Sequence, residues 1–322
     1  MRVFVTGATG FIGQHLCRSL HEQGHTVIAL VRSPDKAETL PPHERVQGSL
    51  ELFKHSDTVL PEADVVVHLA GVVAADTLEQ YAAINRDAVQ DLVDCIGRQS
   101  WAPRRLIFAS SLAAAGPSPA DRPWTENDVL DPIDPYGQAK KEAEVLLRRA
   151  PFPTTSFRPP LVFGPGDPAS LTLYQAAQKG VGVRVVGPPQ RLSWVDVRDV
   201  VRAIHLMVDD VRDGHRTYYT GSPQTTDLDG LWQALGRAVD TKVFVAPIPG
   251  PVLWTAMKFS TAAAALLGFR NQLDEKQYRQ MRASGFVCSS QRLSDELGWS
   301  PQHALDDTLK WAVEGYRAAG QL

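Results

Sequence analysis

Tyr136 and Lys140, in the run Tyr136-Gly-Gln-Ala-Lys140, have the types and spacing of an acid/base pair. Pro132 and Pro135 stop just before them, and Gln138 to Arg149 is rich in helix formers, which predicts a helix with Tyr136 in its first turn. Side chains four residues apart share one helix face, about 6 Å of rise between them. A free phenol titrates near ~10, too high to exchange protons readily at neutral pH. A neighbouring cation favours phenolate, so Lys140 is expected to bring the Tyr136 pKa down. Ser111 lies 25 residues before Tyr136, after the strand-like run Arg104 to Phe108. It therefore sits at a strand's carboxyl end, where ligands bind in open α/β sheets. A hydroxyl there can hold and polarise a substrate oxygen.

The second constellation opens the chain. Arg2 to Val5 reads as a short buried strand, Gly7, Gly10 and Gly13 follow at three-residue spacing, and Gln14 to Gln23 continues in helical pattern. A strand, a tight glycine turn and a helix start together seat a dinucleotide pyrophosphate. Glycine lets phosphates approach the backbone, and the helix N-terminus offers free N–H groups with a partial positive charge.

The elements that must position these groups alternate along the chain. Strand-like runs at 3–6, 26–31, 64–69, 105–109 and 154–158 are separated by helical stretches. That alternation predicts an α/β fold, a doubly wound parallel sheet of the Rossmann kind covered on both faces. After about Gly164 the texture changes. Short strands mix with helices at 170–179, 227–239 and 251–269, which predicts a smaller C-terminal α+β substrate lobe. The expected division is a dinucleotide-binding domain over 1–165 and a mainly substrate-binding lobe over 166–322, with a helix near 196–209 returning to the first.

Composition narrows the class. At 43% hydrophobic and 21% charged residues the chain reads as a soluble globule with ample core. A net charge of −3 gives no support for nucleic acid or an anionic membrane as the main partner. Cys17, Cys95 and Cys288 are far apart and lack a C-x-x-C, as expected of reduced thiols in a cytoplasmic protein. The first strand starts at Arg2 and leaves no room for a signal peptide. No H-E-x-x-H or cysteine cluster points to a metal. His68 reads as a hydrogen-bonded core residue, His205 as a structural residue without partners, and Asp196 and Asp199 as helix N-terminal carboxylates.

Taken in order and spacing, these pieces resemble the extended short-chain dehydrogenase/reductases over essentially the whole chain. The matching elements are the glycine run, Asp64-Val-Val-Val-His-Leu-Ala70, Asn85, Ser110-Ser111, Tyr136, Lys140, Arg158-Pro-Pro-Leu-Val-Phe-Gly-Pro165 and Val195-Asp-Val-Arg-Asp199. The resemblance implies catalytic roles for Ser111, Tyr136, Lys140 and Asn85, the last anchoring a backbone–water link to Lys140. It implies cofactor contacts at Gly7, Thr9, Gly10, Phe11, Ile12 and Gly13, and at Leu50, Leu69, Ala70 and Gly71. Ser110, Pro160, Asn85, Tyr136 and Lys140 complete that set. Homodimers are common on the resembled fold, and a homodimer is the expectation here.

Cofactor and substrate are read from departures. No carboxylate ends the second strand in Val31-Arg32-Ser33-Pro34, where an NAD site usually has one. Arg32 offers a fork suited to a 2′-phosphate, which favours NADP(H) over NAD(H), the alternative being a solvated surface charge. The adenine-side motif reads Gly48-Ser49-Leu50 and lacks the usual aspartate. Nucleotide-sugar epimerases and dehydratases are the alternative on this fold. Against them, Leu161 stands where many carry asparagine, Leu112-Ala113 follows Ser111 in place of an Asp-Glu pair, and Leu192 stands where an arginine grips a diphosphate. Arg184, Arg191 and Arg198 remain as candidate substitutes for it. The apolar stretch Val252 to Phe269 reads first as a lobe helix lining the pocket. A surface-bound segment in peripheral membrane contact ranks second, and a true span last. With the Arg158-Pro-Pro160 variant, it resembles the 3β-hydroxysteroid-dehydrogenase-like and dihydroflavonol-reductase-like branches. The expectation is reversible hydride transfer between NADP(H) and a lipophilic secondary alcohol or carbonyl. A non-catalytic nucleotide-binding subunit is the reading from another class.

Overall fold

The computed structural model describes residues 1–41, 43–75, 77–119, 122–267 and 275–322. The first strands are β1 (Arg2–Thr6), β2 (Thr26–Val31), β3 (Glu44–Gln47), β4 (Val65–His68), β5 (Arg105–Ala109) and β6 (Thr154–Arg158). Then come β7 (Leu161–Phe163), β8 (Val181–Val185), β9 (Arg191–Asp196), β10 (His215–Tyr219), β11 (Thr225–Asp227), β12 (Phe244–Ile248) and β13 (Gly285–Phe286). The helices of the first half are α1 (Phe11–Glu22), α2 (Pro34–Ala37), α3 (Leu78–Ala82), α4 (Ala88–Gly97) and α5 (Pro135–Leu147). The rest are α6 (Pro168–Gln178), α7 (Val197–Asp209), α8 (Leu228–Ala238), α9 (Gly250–Leu267), α10 (Glu275–Arg282), α11 (Gln291–Leu297) and α12 (Leu305–Ala318). Residues 268 and 269 of the expected 251–269 helix lie outside the described residues.

Seven strands form one parallel sheet in the order β10-β6-β5-β4-β1-β2-β3. Continuous Val, Ile and Leu runs suit strands covered on both faces. Alternation along β1 sends Val3 and Val5 toward Leu16 and Leu20 of α1 and Ile204 of α7. Phe4 faces the other way, toward Leu92 of α4, Phe108 and Leu147 of α5. Each such side chain, fully buried, contributes roughly 1.5–3 kcal/mol. The result is the doubly wound Rossmann architecture. Strand order reverses between β1 and β4, and a crevice opens at the carboxyl ends of strands at such a switch point.

Chain from beyond residue 165 completes this sheet. Helix α7 packs beside α1, its Asp196 N-cap accepting from the Arg198 N–H at 2.7 Å. Strand β10 extends the sheet edge beside β6, an element the sequence pattern did not single out. Asp199 does more than cap. Buried in the first turn of α7, it accepts from the Gln302 and His303 backbone N–H groups and so ties in the C-terminal segment. His205 is partnered, contrary to expectation: its Nε2 lies 2.9 Å from Ser19 Oγ, and its ring stacks on His25. A separate core of Phe163, Trp194, Trp232, Leu309 and Tyr316 builds the C-terminal lobe. Among the described residues no helix is long and apolar enough to cross a membrane.

Candidate active site

The turn after β1 leaves room for glycine only. Gly7 has φ of +70°, and a Cβ there would stand 2.7 Å from the Ala70 backbone nitrogen. A Cβ on Gly13 would stand 2.1 Å from the Gly7 carbonyl oxygen. The turn therefore rides directly over Leu69 and Ala70, with Gly10 N–H closing it onto Gly7 O at 2.9 Å. Helix α1 starts at Phe11 with no side-chain cap and no acidic residue in its first turn. Its unsatisfied N–H groups and dipole face the crevice mouth, a ready anion site. Thr9, Phe11 and Ile12 surround it, half-buried. A dinucleotide pyrophosphate fits this cradle.

Ser111, Tyr136 and Lys140 come together beside it. Asp134 caps α5 by accepting from Gly137 N–H at 2.8 Å, which fixes the turn that carries Tyr136. Ser111 Oγ accepts from the Ala113 N–H at 3.1 Å, and the hydroxyl hydrogen-bonds to the Tyr136 phenol. The Tyr136 ring packs against Tyr81, centroids 6.4 Å apart. Lys140 Nζ donates to the Ala109 carbonyl at 2.8 Å and lies 5.9 Å from the Tyr136 ring centre. Asn85 is held from both ends by Val72, accepting from its N–H at 3.1 Å and donating to its carbonyl at 2.9 Å. Gly71 separates the two groups: a Cβ there would stand 2.7 Å from Asn85 Oδ1 and 3.2 Å from Lys140 Nζ. Glycine at this position lets Asn85 and Lys140 approach.

The electrostatics differ from the sequence expectation. Burial pushes the Tyr136 phenol up to about 12, opposed by the hydrogen bond from Ser111. Burial also drives Lys140 down to about 7, opposed by the Glu144 carboxylate. An ammonium itself disfavoured by desolvation is a weak source of the charge that was to lower the phenol. The phenol is thus held neutral, as a proton donor.

A buried network beneath these groups has no counterpart in the sequence reading. Glu144, one helical turn beyond Lys140, takes Arg158 Nε and Nη2 on its two oxygens at 2.9 and 2.5 Å, both side chains 1% exposed. Ser110 donates to the same carboxylate at 2.5 Å, and Arg158 Nη1 donates to the Tyr219 hydroxyl at 3.0 Å. The Ser110 hydroxyl is thereby engaged below the sheet end. The i+4 spacing of Glu144 from Lys140 was the available signal, since it puts a carboxylate on the same helix face. His68 bonds Thr6 Oγ1 through Nδ1 at 2.8 Å, stacks on Phe108, and is held down to about 3 by burial. Its buried Nε2 has no partner among the described residues.

At the end of β2, Arg32 is exposed and makes no ion pair or hydrogen bond among the described residues. Asp35 stands one turn away, exposed in α2. Ser49 caps the short helical turn Leu50–Lys54. Pro160 lies between β6 and β7, beside Gly221.

A family model described as "NAD dependent epimerase/dehydratase family" matches residues 3–221. The chain belongs to this family. It is an enzyme of the extended short-chain dehydrogenase/reductase type, built for a pyridine nucleotide. Among curated family relatives, a ceramide reductase of Caulobacter vibrioides is 27% identical, covering 99% of this chain and 96% of that protein. A dTDP-4-dehydro-6-deoxy-D-allose reductase of a Streptomyces species is 32% identical, over 96% and 95% of the two chains. The solved UDP-glucose 4-epimerase of Thermotoga maritima superposes with a TM-score of 0.75 at 23% identity, covering 99% of each chain, and so shares the fold.

Of the arginines that could have served a diphosphate in this epimerase/dehydratase chain, Arg184 and Arg198 are held in ion pairs, while Arg191 is exposed with a hydrogen bond to a hydroxyl. Arg184 pairs with Asp229 at 3.2 Å, and Arg191 donates to Thr225 at 3.0 Å. Arg198 pairs with Asp196 at 2.6 Å and lies over Trp311 at 3.9 Å. Leu192 is buried in the lobe core, while Leu161 is exposed at 43%.

Proposed function

We propose that the protein is an NADP(H)-dependent reductase of a ketone on a lipophilic substrate, reversible toward the secondary alcohol. The observation that carries this reading is the gathering of Ser111, Tyr136 and buried Lys140 beside the glycine cradle, with Lys140 Nζ 5.9 Å from the Tyr136 ring centre. The bound nicotinamide supplies the hydride. Tyr136 gives its proton to the carbonyl oxygen as charge develops there, and Ser111 holds that oxygen and polarises it. Lys140, fixed by the Ala109 carbonyl beside Asn85, orients the ribose side of the cofactor and the proton path to Tyr136.

Three features support the substrate class. The expected diphosphate arginine is Leu192, Arg184 and Arg198 are already paired with carboxylates, and Leu161 presents an apolar surface. A charged diphosphate needs charge-assisted donors that these residues do not offer. A ceramide reductase aligned over 99% of the chain supports a lipid-like ketone. The exposed Arg32, unpaired among the described residues, supports the 2′-phosphate of NADP(H).

The second reading, a nucleotide-linked keto-sugar as substrate, is favoured by the reductase at 32% identity. One assay separates them: NADPH absorbance followed against long-chain ketones and against nucleotide-linked keto-sugars. Consumption with the long-chain set alone is expected. Consumption with the keto-sugars alone would transfer the assignment to them. Interconversion of a sugar with no net redox product would make the protein an epimerase.

A further inference from the structure

We propose that the outer face of the β8–β12 ribbon, with the first turns of α9, docks the protein on the surface of an anionic lipid bilayer. The pairing register puts Phe244 beside Val181, Ala246 beside Val183 and Ile248 beside Val185, so one face of the ribbon is wholly apolar. The opposite face is covered at Gly182 and Val245 and open at Pro247. Gly182 packs on the Trp232 ring, whose Nε1 donates to the Val183 carbonyl, and Val245 joins the lobe core. Helix α10 rests against β8, yet Phe244 remains 71% and Val181 50% exposed. Val186, bonded through its N–H to the Ile248 carbonyl, is 55% exposed, and Val252 and Trp254 of α9 are 55% and 47% exposed. Among the described residues, Val181, Val186, Phe244, Val252 and Trp254 are five of the twelve exposed large apolar side chains, and patches of exposed apolar surface mark interaction sites.

The surrounding charge favours lipid as the occupant. No Asp or Glu occurs over 168–195 or over 241–273, although the chain as a whole carries a net charge of −3. Lys179, Lys242 and Lys258 are exposed in these segments and form no ion pair among the described residues. Lys258 Nζ lies 5.6 Å from the Trp254 ring centre. Exposed indole, aliphatic and lysine side chains together are what a headgroup interface takes up, the lysine stems snorkelling toward lipid phosphates. A second copy of the chain docking by two-fold symmetry would bring these same lysines together, which like-charge repulsion opposes.

The inference rests on the lipophilic-substrate reading for its purpose, and its test stands apart from that reading. Full-length protein is co-sedimented with vesicles of phosphatidylglycerol and phosphatidylcholine, and with vesicles of phosphatidylcholine alone. Binding to the first set should exceed binding to the second and weaken with salt. Phe244→Glu should weaken it about tenfold or more, and Lys179→Glu with Lys242→Glu should abolish the preference for the anionic set. All variants should keep native turnover of a short, water-soluble ketone, since none of these residues lies at Ser111, Tyr136 or Lys140. Wild-type protein left in the supernatant with both vesicle sets overturns the proposal, as does Phe244→Glu binding like wild type. A dimer that Phe244→Glu converts to monomer, without vesicle binding, makes the face a subunit interface instead. Vesicle binding without ketone turnover would keep the docking surface and remove the substrate reading.

Discussion

Removing the Tyr136 hydroxyl deletes the proposed proton donor and leaves the ring that packs on Tyr81. Tyr136→Phe should lower kcat by about 10²–10⁴-fold, the usual worth of general acid catalysis, with NADPH binding by cofactor fluorescence unchanged. Normal turnover by this variant would sink the acid assignment. Arg32 is the other position where one side chain decides a property. Charge-assisted bonds to a 2′-phosphate contribute about 1.5–3 kcal/mol each, so the native enzyme should prefer NADPH over NADH by about tenfold or more. Arg32→Ala should weaken NADPH and spare NADH. Equal loss of both cofactors would show that the β2 end does not read the phosphate.

Helix α5 carries both Tyr136 and Lys140, so its ends and underside matter as much as its catalytic face. Asp134 accepts from Gly137 N–H through Oδ1 and from Gln280 Nε2 through Oδ2, joining the helix start to α10. Asp134→Ala should cost roughly 0.5–2 kcal/mol, lowering Tm by roughly 2–4 °C per kcal/mol. Turnover should fall as well, because the frayed turn is the one holding Tyr136. Asp134→Asn keeps an acceptor for Gly137 and should recover most of the Tm in a thermal melt. Unchanged melting of Asp134→Ala would show that Pro135 and the buried Glu144–Arg158 pair hold the helix unaided.

The whole fold is tuned by burial of groups that prefer charge. His68 and His215 are held neutral by burial, with pKa values of about 3 and about 4 against an ordinary 6.5. Below pH 6.5 the unfolded chain takes up protons that the folded chain refuses until about pH 3–4, so stability falls as pH drops through that window. Lys140 acts in the same direction at higher pH: folded at about 7 against an ordinary 10.5, it adds stability as pH rises between those values. Melts of the cofactor-free protein across pH should show both rises. His68→Gln should flatten the acidic one, and an unaltered acidic slope would assign it to other groups.

Local patterns carried much of this protein in the sequence. Glycine at 7 and 13 is demanded by backbone contacts within a dozen residues and by one crossing strand end, so the cradle was legible from the first residues. The βαβ alternation dictated a parallel Rossmann sheet, and the four-residue spacing of Tyr136 and Lys140 dictated a shared helix face. What depended on burial was not legible. Whether a phenol is lowered by its lysine or raised by desolvation depends on how much water both lose, and packing alone sets that; here desolvation wins. The addition of β10 to the main sheet, the Arg158 bridge from Glu144 to Tyr219, and the apolar outer face of β8 and β12 also join residues distant in sequence. Periodicity reports which face of an element is apolar; only the tertiary structure decides which of those faces another element covers.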